Sequence, residues 1–319
     1  MKKAIILSAL LTLSLPFGQA KAEEMPTYRI SGADRYETSV NVSKEGWETS
    51  DVAVISTGRN YPDALSATPL AYKNEAPLLL TDTNSLPKSV KEELKRLKVK
   101  KVILIGGTAV IGANVEKEIK ELGINSIQRI GGADRYETSV NIANEVSTYG
   151  EVVVATGQSF ADALSIAPIA AQLEMPILLT KKDEVPAPVA NYIQTEEVYA
   201  AYVIGGNQVI SEKAANKLPD VVRLSGETRY ETNSQVIDYF SEYIMMDTPL
   251  IATGKNYPDA LAGSALASYY SNPIILTDPV KAQQTTKNTV QTYSEFADFY
   301  YIIGGQTALP DSAVEGLFN

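Results

Sequence analysis

The stretch Arg29-Ile-Ser-Gly-Ala-Asp-Arg-Tyr-Glu-Thr-Ser39 occurs three times and sets the organisation of the chain. It returns as Arg129-Ile-Gly-Gly-Ala-Asp-Arg-Tyr-Glu-Thr-Ser139 and, more loosely, as Arg223-Leu-Ser-Gly-Glu-Thr-Arg-Tyr-Glu-Thr-Asn233. The starts at 29, 129 and 223 give intervals of 100 and 94 residues. Self-similarity at a nearly constant interval is the signature of a repeat architecture. The sequence therefore predicts three copies of one structural unit.

The first residues do not belong to the repeat. Lys2 and Lys3 precede an apolar run over residues 4–17, and a small-x-small pattern follows at 20–22. This pattern predicts a secretory signal peptide over residues 1–22. The run is shorter than the roughly 20 residues of a spanning helix, and no later stretch is long and apolar enough. We expect a soluble, exported protein with modules at 23–125, 126–219 and 220–319.

The composition excludes several kinds of site. The chain has no cysteine and no histidine. Disulfides, thiolate nucleophiles, Ser-His-Asp triads and imidazole zinc sites are therefore excluded, and no cofactor is predicted. Loss of Lys2, Lys3 and Lys21 from 28 basic residues would leave 25 against 38 acidic ones, a net charge of −13. This acidic balance argues against nucleic acid as a partner.

Strands and helices alternate within each copy. Runs such as 78–80 and 102–105 have no polar face, which is typical of parallel strands covered by helices on both sides. We predict an open, doubly wound, Rossmann-like α/β unit, and expect three units to close a pseudo-threefold ring by head-to-tail contacts. A helix is predicted over 62–73, and another carries Glu92 and Arg96 at a spacing that favours an ion pair. The segment 282–293 gives a weaker helix signal because it is polar and threonine-rich.

The repeated Asp-Arg-Tyr-Glu-Thr element predicts a helix start. In each copy an N-cap residue is followed three positions later by a glutamate, which fits a capping box. The pairs are Asp34 with Glu37, Asp134 with Glu137, and Thr228 with Glu231. Because aspartate and threonine share good capping ability, the exchange favours a structural role. The predicted core tyrosines are Tyr36, Tyr136 and Tyr230.

Arg35, Arg135 and Arg229 are not explained by capping. Each lies in the first helical turn, where a cation meets the positive end of the helix dipole unfavourably. Such an arginine needs a partner, which is either a carboxylate of a neighbouring copy or an external anion. Both alternatives stay open at this point. Arg29, Arg129 and Arg223 recur as well, at the ends of the entry strands.

A second repeated element follows the pattern Thr-Gly-x-x-x-x-Asp-Ala-Leu, from Thr57, Thr156 and Thr253. Its first-turn aspartates are expected from the helix dipole, but the carboxyl edge of a parallel sheet also makes them candidate ligand contacts. These aspartates are Asp63, Asp162 and Asp259. The aromatic residues Tyr61, Phe160 and Tyr257 either plug this loop or stack on sugar rings, and we favour the plug. Gly-Gly turns at 106–107, 205–206 and 304–305 are only a weak phosphate-binding signal.

Together these motifs resemble the cell-wall-binding repeat 2 family of Gram-positive surface proteins. The resemblance covers the whole chain after the signal peptide. It implies a triangular bundle of three Rossmann-like modules that attaches non-covalently to an anionic secondary wall polymer. An Ile-Leu-Leu triplet implicated in anchoring in that family maps onto Ile177, Leu178 and Leu179. The corresponding triplets are 78–80 (Leu-Leu-Leu) and 274–276 (Ile-Ile-Leu).

The sequence thus favours a secreted, wall-associated binding module and no enzyme. The candidate polymer-binding residues are Arg35, Arg135, Arg229, Ile177, Leu178, Leu179, Asp63, Asp162 and Asp259. One alternative is a structural or modulatory surface protein that acts through contacts with other surface proteins. A less favoured alternative is a carboxylate-dependent hydrolase of wall glycans, which would need two carboxylates facing one substrate.

Overall fold

The computed structural model describes residues 25–146 and 148–319, so the predicted signal peptide at 1–22 lies outside the described residues. The strands in these ranges are β1 (Thr27–Ile30), β2 (Val52–Thr57), β3 (Leu78–Thr81), β4 (Lys101–Ile105), β5 (Ser126–Ile130), β6 (Glu151–Thr156), β7 (Ile177–Thr180), β8 (Ala200–Ile204), β9 (Val221–Leu224), β10 (Leu250–Thr253), β11 (Ile274–Thr277) and β12 (Tyr300–Ile303).

The α-helices are α1 (Arg35–Gly46), α2 (Ala67–Lys73), α3 (Lys88–Leu97), α4 (Ala113–Glu121), α5 (Arg135–Ala143), α6 (Ala161–Gln172), α7 (Ala187–Thr195), α8 (Glu212–Ala215), α9 (Arg229–Tyr239), α10 (Pro258–Tyr269), α11 (Gln284–Tyr293) and α12 (Asp311–Phe318). Short 3₁₀ helices cover Ala64–Ser66, Ser241–Tyr243 and Ser294–Phe296. The first of these corrects the predicted helix over 62–73, whose α-helical part starts only at Ala67.

The strands form three separate four-stranded sheets, and every strand pair is parallel. Their orders are β3-β2-β4-β5, β7-β6-β8-β9 and β11-β10-β12-β1. Strands β3 and β4 are almost wholly buried, as their continuous apolar runs predicted, although β3 lies at an edge of its sheet. Because helices flank each sheet, the prediction of three Rossmann-like α/β units is confirmed.

Each sheet borrows its fourth strand from the next sequence copy. β5 begins the second copy but pairs with β4 of the first, and β9 pairs likewise with β8. The ring closes where β1, at the start of the chain, pairs with β12 near its end, with Thr27 opposite Tyr300. The repeat in the sequence is therefore offset from the sheets by one strand, and this offset ties neighbouring units together.

Helices α2, α6 and α10 pack against one another at the centre of the ring. Residues 161–171 of α6 and 258–268 of α10 are all buried, as expected of helices covered on every side. At their N-terminal ends the rings of Tyr61, Phe160 and Tyr257 meet, with centroids 5.4 to 6.1 Å apart. This mutual packing agrees with the prediction that the three aromatic residues plug the loop, and the rings mark the pseudo-threefold axis.

Two local details refine what the sequence patterns predict. Arg96 does not pair with Glu92; it donates instead to both carboxylate oxygens of Glu93, over 2.7 and 2.8 Å. Glu93 is buried against α1, where Ser43 also donates to it over 2.5 Å, so the buried carboxylate attracts the guanidinium. The weakly predicted segment 282–293 does form α11, and its buried Thr289 donates to Ser234 Oγ over 2.7 Å.

Candidate functional site

The helix starts adopt the predicted capping arrangement. Asp34 accepts hydrogen bonds from the N–H groups of residues 36 and 37, Asp134 from those of 136 and 137, and Thr228 from that of 231. The glutamate at the third position reaches back in turn: Glu37 Oε2 accepts from the N–H of Ala33 over 2.8 Å. Both acidic groups of the motif are therefore occupied in holding the turn.

This turn presents one arginine of each copy in a fixed position. Arg35 and Arg135 donate from Nη1 to the carbonyl oxygens of Gly58 and Gly157, and Arg229 donates to that of Gly254 over 2.5 Å. All three arginines are half-buried. The glycines are needed for this approach, because a Cβ at Gly157 would lie 2.8 Å from Cδ of Arg135.

The ring brings a predicted aspartate next to each of these arginines across a copy boundary. Arg135 lies close enough to Asp63 for its positive charge to favour the ionised carboxylate. Arg229 acts in the same way on Asp162, and Arg35 on Asp259. We call the three resulting surfaces the inter-copy grooves. Each contains an aspartate from one copy and an arginine from the next. The two residue types singled out in the sequence therefore share one site, although they come from different copies.

The aspartates are buried enough to perturb their ionisation. Burial raises the pKa of Asp162 to about 6, and the nearby positive charge of Arg229 opposes the shift. Burial also raises the pKa values of Asp63 and Asp259. In the described part of the chain, Arg35, Arg135 and Arg229 form no close ion pair. Each guanidinium is thus held by a backbone carbonyl and retains unused N–H donors.

The second set of recurring arginines has a different environment. Arg29 pairs with Asp311 and Arg129 with Glu116, both at 2.5 Å, and Arg223 pairs with Glu212 at 3.3 Å. Each also donates to the first glycine carbonyl of a Gly-Gly turn, as Arg129 does to Gly106 over 2.8 Å. The guanidiniums of these arginines are therefore engaged in structural contacts at the ends of β1, β5 and β9.

The groove between the second and third copies encloses a cavity of about 670 Å³. Asp162 and Arg229 contribute to its lining, together with the polar side chains of Asn207, Gln208 and Gln235. The guanidinium of Arg229 also lies 5.3 Å from the ring centroid of Phe160, which holds its plane in place. The cavity therefore combines an oriented cation with amide donors and acceptors on an open, polar surface.

The Ile-Leu-Leu triplet lies elsewhere. Ile177, Leu178 and Leu179 form the start of β7 and expose 1%, 0% and 0% of their surface. Helices cover them on both faces of the sheet, so these three side chains lie in the core and not on the surface of the grooves. Leu179 connects to the repeated turn through its N–H, which donates to Ser139 Oγ over 3.1 Å.

Sequence reasoning missed the threonine at the end of the same motif as a groove residue. Thr38, Thr138 and Thr232 are buried, and each Oγ1 accepts the N–H of a glycine before the cap over 3.0 Å. Across the copy boundary, the side chain of Thr138 forms a hydrogen bond with Asp63 that favours its ionised form. The sequence did carry a signal for this role, because the threonine recurs in every copy of the motif although helix capping does not require it.

The acidic character of the chain does not create a metal centre within residues 25–146 and 148–319. No three or more acidic side chains come together there in a way that could hold a metal ion. None of the helices in these ranges combines the length and apolar character required to cross a membrane.

A family comparison agrees with this architecture copy by copy. The sequence model described as "Cell wall binding domain 2 (CWB2)" matches residues 29–116, 129–215 and 223–315. The chain belongs to the CWB2 family. The three matched blocks begin at Arg29, Arg129 and Arg223, the residues that open the repeated stretch.

Two relatives of the chain are proteins of Bacillus subtilis (strain 168). The chain is 34% identical over 291 residues to N-acetylmuramoyl-L-alanine amidase LytC, covering 91% of this chain and 58% of that protein. It is 32% identical over 286 residues to the amidase enhancer, covering 89% of this chain and 39% of that protein. The chain thus spans about half the length of these relatives or less.

Solved structures of two Clostridium difficile proteins share the fold. Cwp6 superimposes with a TM-score of 0.86 at 32% identity, over 99% of this chain and 51% of that one. Cwp8 gives a TM-score of 0.83 at 27% identity, over 92% and 51%. Membership of the CWB2 family supports cell wall binding and association with the wall for this chain.

Proposed function

We propose that the protein attaches non-covalently to an anionic secondary wall polymer through its inter-copy grooves. The observation that carries this proposal is the set of half-buried guanidiniums, Arg35, Arg135 and Arg229, which no carboxylate of the described residues pairs with closely. A guanidinium presents a fork of N–H donors that matches carboxylate or phosphate oxygens. The modules 23–125, 126–219 and 220–319 would each contribute one arginine and one aspartate to the ring of grooves.

The overall negative charge limits how such a polymer is recognised. The chain carries 38 acidic residues against 28 basic ones, so a diffuse positive field does not draw a polyanion in. Recognition is therefore local, at three fixed guanidiniums. Three weak contacts to repeating units of one polymer also reinforce one another, because the second and third contacts form at a high effective concentration.

The aspartates take a secondary role in this proposal. Asp63, Asp162 and Asp259 face the same grooves as the arginines and repel an anion whenever they are ionised. The buried triplet Ile177, Leu178 and Leu179 acts indirectly, because it supports the sheet whose carboxyl edge forms the groove. Its replacement by smaller side chains would disturb binding through the fold and not through lost contact with the polymer.

The geometry gives little support to the hydrolase alternative. A glycosidase needs two carboxylates directed at one substrate. In the groove between the second and third copies, Asp162 is buried, and the neighbouring glutamate of the motif caps a helix, because Glu231 Oε2 accepts from the N–H of Glu227 over 2.7 Å. A non-catalytic binding role is therefore the one we propose.

A second candidate function is contact with other surface proteins. An aromatic patch at the C-terminal end of α9 contains Tyr239 and Tyr243, which are 48% and 65% exposed. Tyr239 and Phe240 pack edge-to-face at 4.9 Å, so the patch is ordered and apolar. Such surfaces are common at protein interfaces. This contact is compatible with polymer binding at the grooves.

The test is a pull-down of residues 23–319 with native walls and with walls stripped of their anionic polymer. The proposal predicts retention on native walls alone. The variant Arg35→Gln/Arg135→Gln/Arg229→Gln should lose that retention, while Lys95→Gln/Lys120→Gln/Lys213→Gln, which removes equal charge from exposed outer helices, should keep it. Equal retention on both wall preparations would contradict polymer binding and favour protein or peptidoglycan as the partner.

A further inference from the structure

A second cavity lies at the opposite end of the central helices from the grooves. Its volume is about 540 Å³, within the roughly 300–1,000 Å³ of small-molecule sites. The last turns of α2, α6 and α10 line it, together with the aromatic residues Trp47, Tyr72 and Tyr269. None of the groove residues contributes to it, so this cavity is separate from the proposed polymer site.

Its aromatic lining does not follow the threefold repeat. Counted from the repeated aspartate, the position of Tyr72 is occupied by Ala171 and Ser268 in the other copies. The position of Tyr269 is occupied by Lys73 and Gln172, and Trp47 is the only tryptophan of the chain. A packing role in the shared fold would favour a side chain of similar size and polarity in each copy, which these positions do not have. Three aromatic residues that each appear in one copy converge here instead, which indicates a role specific to this cavity.

The cavity is also electronegative. Three helices end at it, and the C-terminal end of a helix carries a partial negative charge. Glu75 and Glu174 lie two positions beyond the ends of α2 and α6, in left-handed conformations with φ of 49° and 53°, and both contribute to the lining. Lys73 adds one cation at the rim, where its Nζ donates to the carbonyl oxygen of Glu145 over 2.8 Å.

The aromatic walls are held in place. The indole N–H of Trp47 donates to the carbonyl oxygen of Glu75 over 2.8 Å, and its ring lies 5.0 Å from that of Tyr269. Tyr269 itself is 47% exposed. Aromatic faces carry negative charge density and attract cations, an attraction that carboxylates at the same site reinforce.

We propose that this cavity binds an organic ammonium ion, with the ammonium group between the glutamates and its carbon skeleton against the aromatic walls. An amino sugar and a quaternary amine both offer this chemistry. The site is independent of the arginine grooves, because it lies at the other ends of the three central helices and has the opposite charge preference.

Trp47 makes the proposal directly measurable, since it is the sole source of tryptophan fluorescence. The chain 23–319 is titrated with D-glucosamine, with choline and with neutral N-acetyl-D-glucosamine. We expect a saturable change in emission with an ammonium probe at an affinity at least about fivefold higher than with the neutral sugar. If both D-glucosamine and choline bind, the ammonium group alone determines recognition. If only D-glucosamine binds, the ligand of the cavity is an amino sugar. Absence of saturation, or equal affinity for the neutral sugar, would overturn the proposal.

Variants tie the signal to the cavity while Trp47 stays as the reporter. Tyr269→Ala and Glu174→Gln should each weaken binding of the responding probe by about fivefold. Tyr149→Ala, at a 72% exposed position outside the cavity, and Glu121→Gln on α4 are the matched controls and should bind as wild type does. Unchanged affinity in both cavity variants, at an unchanged melting temperature, contradicts the assignment. The Arg35→Gln/Arg135→Gln/Arg229→Gln variant should retain probe binding, which separates this site from the grooves.

Discussion

Arg129 and Arg135 are close in the chain, both are half-buried, and both donate to a glycine carbonyl, yet their surroundings differ. Arg129 also binds Glu116 at 2.5 Å, whereas Arg135 has no close carboxylate partner among the described residues and lies near the buried Asp63 of the preceding copy. The same contrast separates Arg29 from Arg35 and Arg223 from Arg229. One set of arginines joins the structure together, and the other retains unused N–H donors, which we propose bind an external anion.

The contrast shows that recurrence in the sequence does not by itself indicate function. Both sets recur in all three copies, with the same residue type at the same motif positions. They differ in what the fold places beside them. The strand-end arginines meet an acidic residue on a nearby helix, while the groove arginines meet the first turn of their own helix and an aspartate whose burial favours its neutral form. Substitutions in both environments test this difference, and those with the greatest expected consequences come first.

Arg129→Ala should destabilise the fold more than any of the other substitutions. It removes the hydrogen bond to the Gly106 carbonyl and leaves the half-buried Glu116 unpaired, which should lower the free energy of unfolding by about 2–3 kcal/mol. Denaturant unfolding measures this loss. The control is Arg59→Ala, which removes an exposed ion pair with Asp82 and should change the same quantity by less than about 1 kcal/mol. Equal losses in the two variants would contradict the assigned structural role.

Stability should depend on pH through Asp162. Because burial raises its pKa from 3.8 to about 6, the folded protein holds this proton where the unfolded chain has released it. Stability from this group is therefore full below pH ~4 and is lost as the pH rises towards ~6, by about 2 kcal/mol. In Asp162→Asn that part of the pH slope should disappear. Unfolding curves from pH ~4 to ~7 measure it, and an unchanged slope would contradict the burial of an ionisable carboxyl.

Gly157→Ala should disturb the groove arginine without removing it. The new Cβ would lie 2.8 Å from Cδ of Arg135 and 2.9 Å from the ring of Tyr136, so the arginine must move. We expect a loss of about 1–2 kcal/mol in stability together with weaker wall binding. Gly316→Ala in α12 is the control, because a Cβ there meets open space, and it should be neutral or slightly stabilising. Wild-type wall binding by folded Gly157→Ala would show that the position of Arg135 does not matter.

Arg135→Lys should have the smallest effect of the series. It keeps the positive charge but loses the fork of parallel donors, so affinity for an anionic polymer should fall by about threefold to fivefold. A binding isotherm against purified wall polymer measures the change. Affinity equal to that of the wild type would indicate recognition of charge alone, without directional hydrogen bonds.

Much of the fold was predictable from the sequence because its signals are local. The continuous apolar strands, the capping pairs and the aromatic plug all follow from residue type and spacing. The offset of one strand between copies and sheets was not predictable, because a pattern that identifies β5 as a strand does not say which sheet it joins. The groove depends on the same information, because Asp63 and Arg135 belong to different copies and become neighbours only when the first and second copies pack together.

Residue spacing alone gave a wrong prediction where two glutamates could pair with the same arginine. Glu92 has the favourable helical spacing to Arg96, yet Arg96 binds Glu93, which is buried against α1 and whose negative charge is harder to leave unpaired. Likewise, the Ile-Leu-Leu triplet was correctly placed on a strand. Its burial on both faces could be inferred from the lack of a polar face, so any part it takes in anchoring would act through the fold.

The most direct test of the central claim compares the two arginines within one copy. Binding isotherms against purified anionic wall polymer are measured for Arg135→Gln and Arg129→Gln, under conditions in which both variants are folded. We expect about a tenfold loss of affinity for Arg135→Gln, with stability close to wild type, and affinity within about twofold of wild type for the less stable Arg129→Gln. The reverse pattern, or wild-type affinity in Arg135→Gln, would contradict the assignment of polymer binding to the groove arginines.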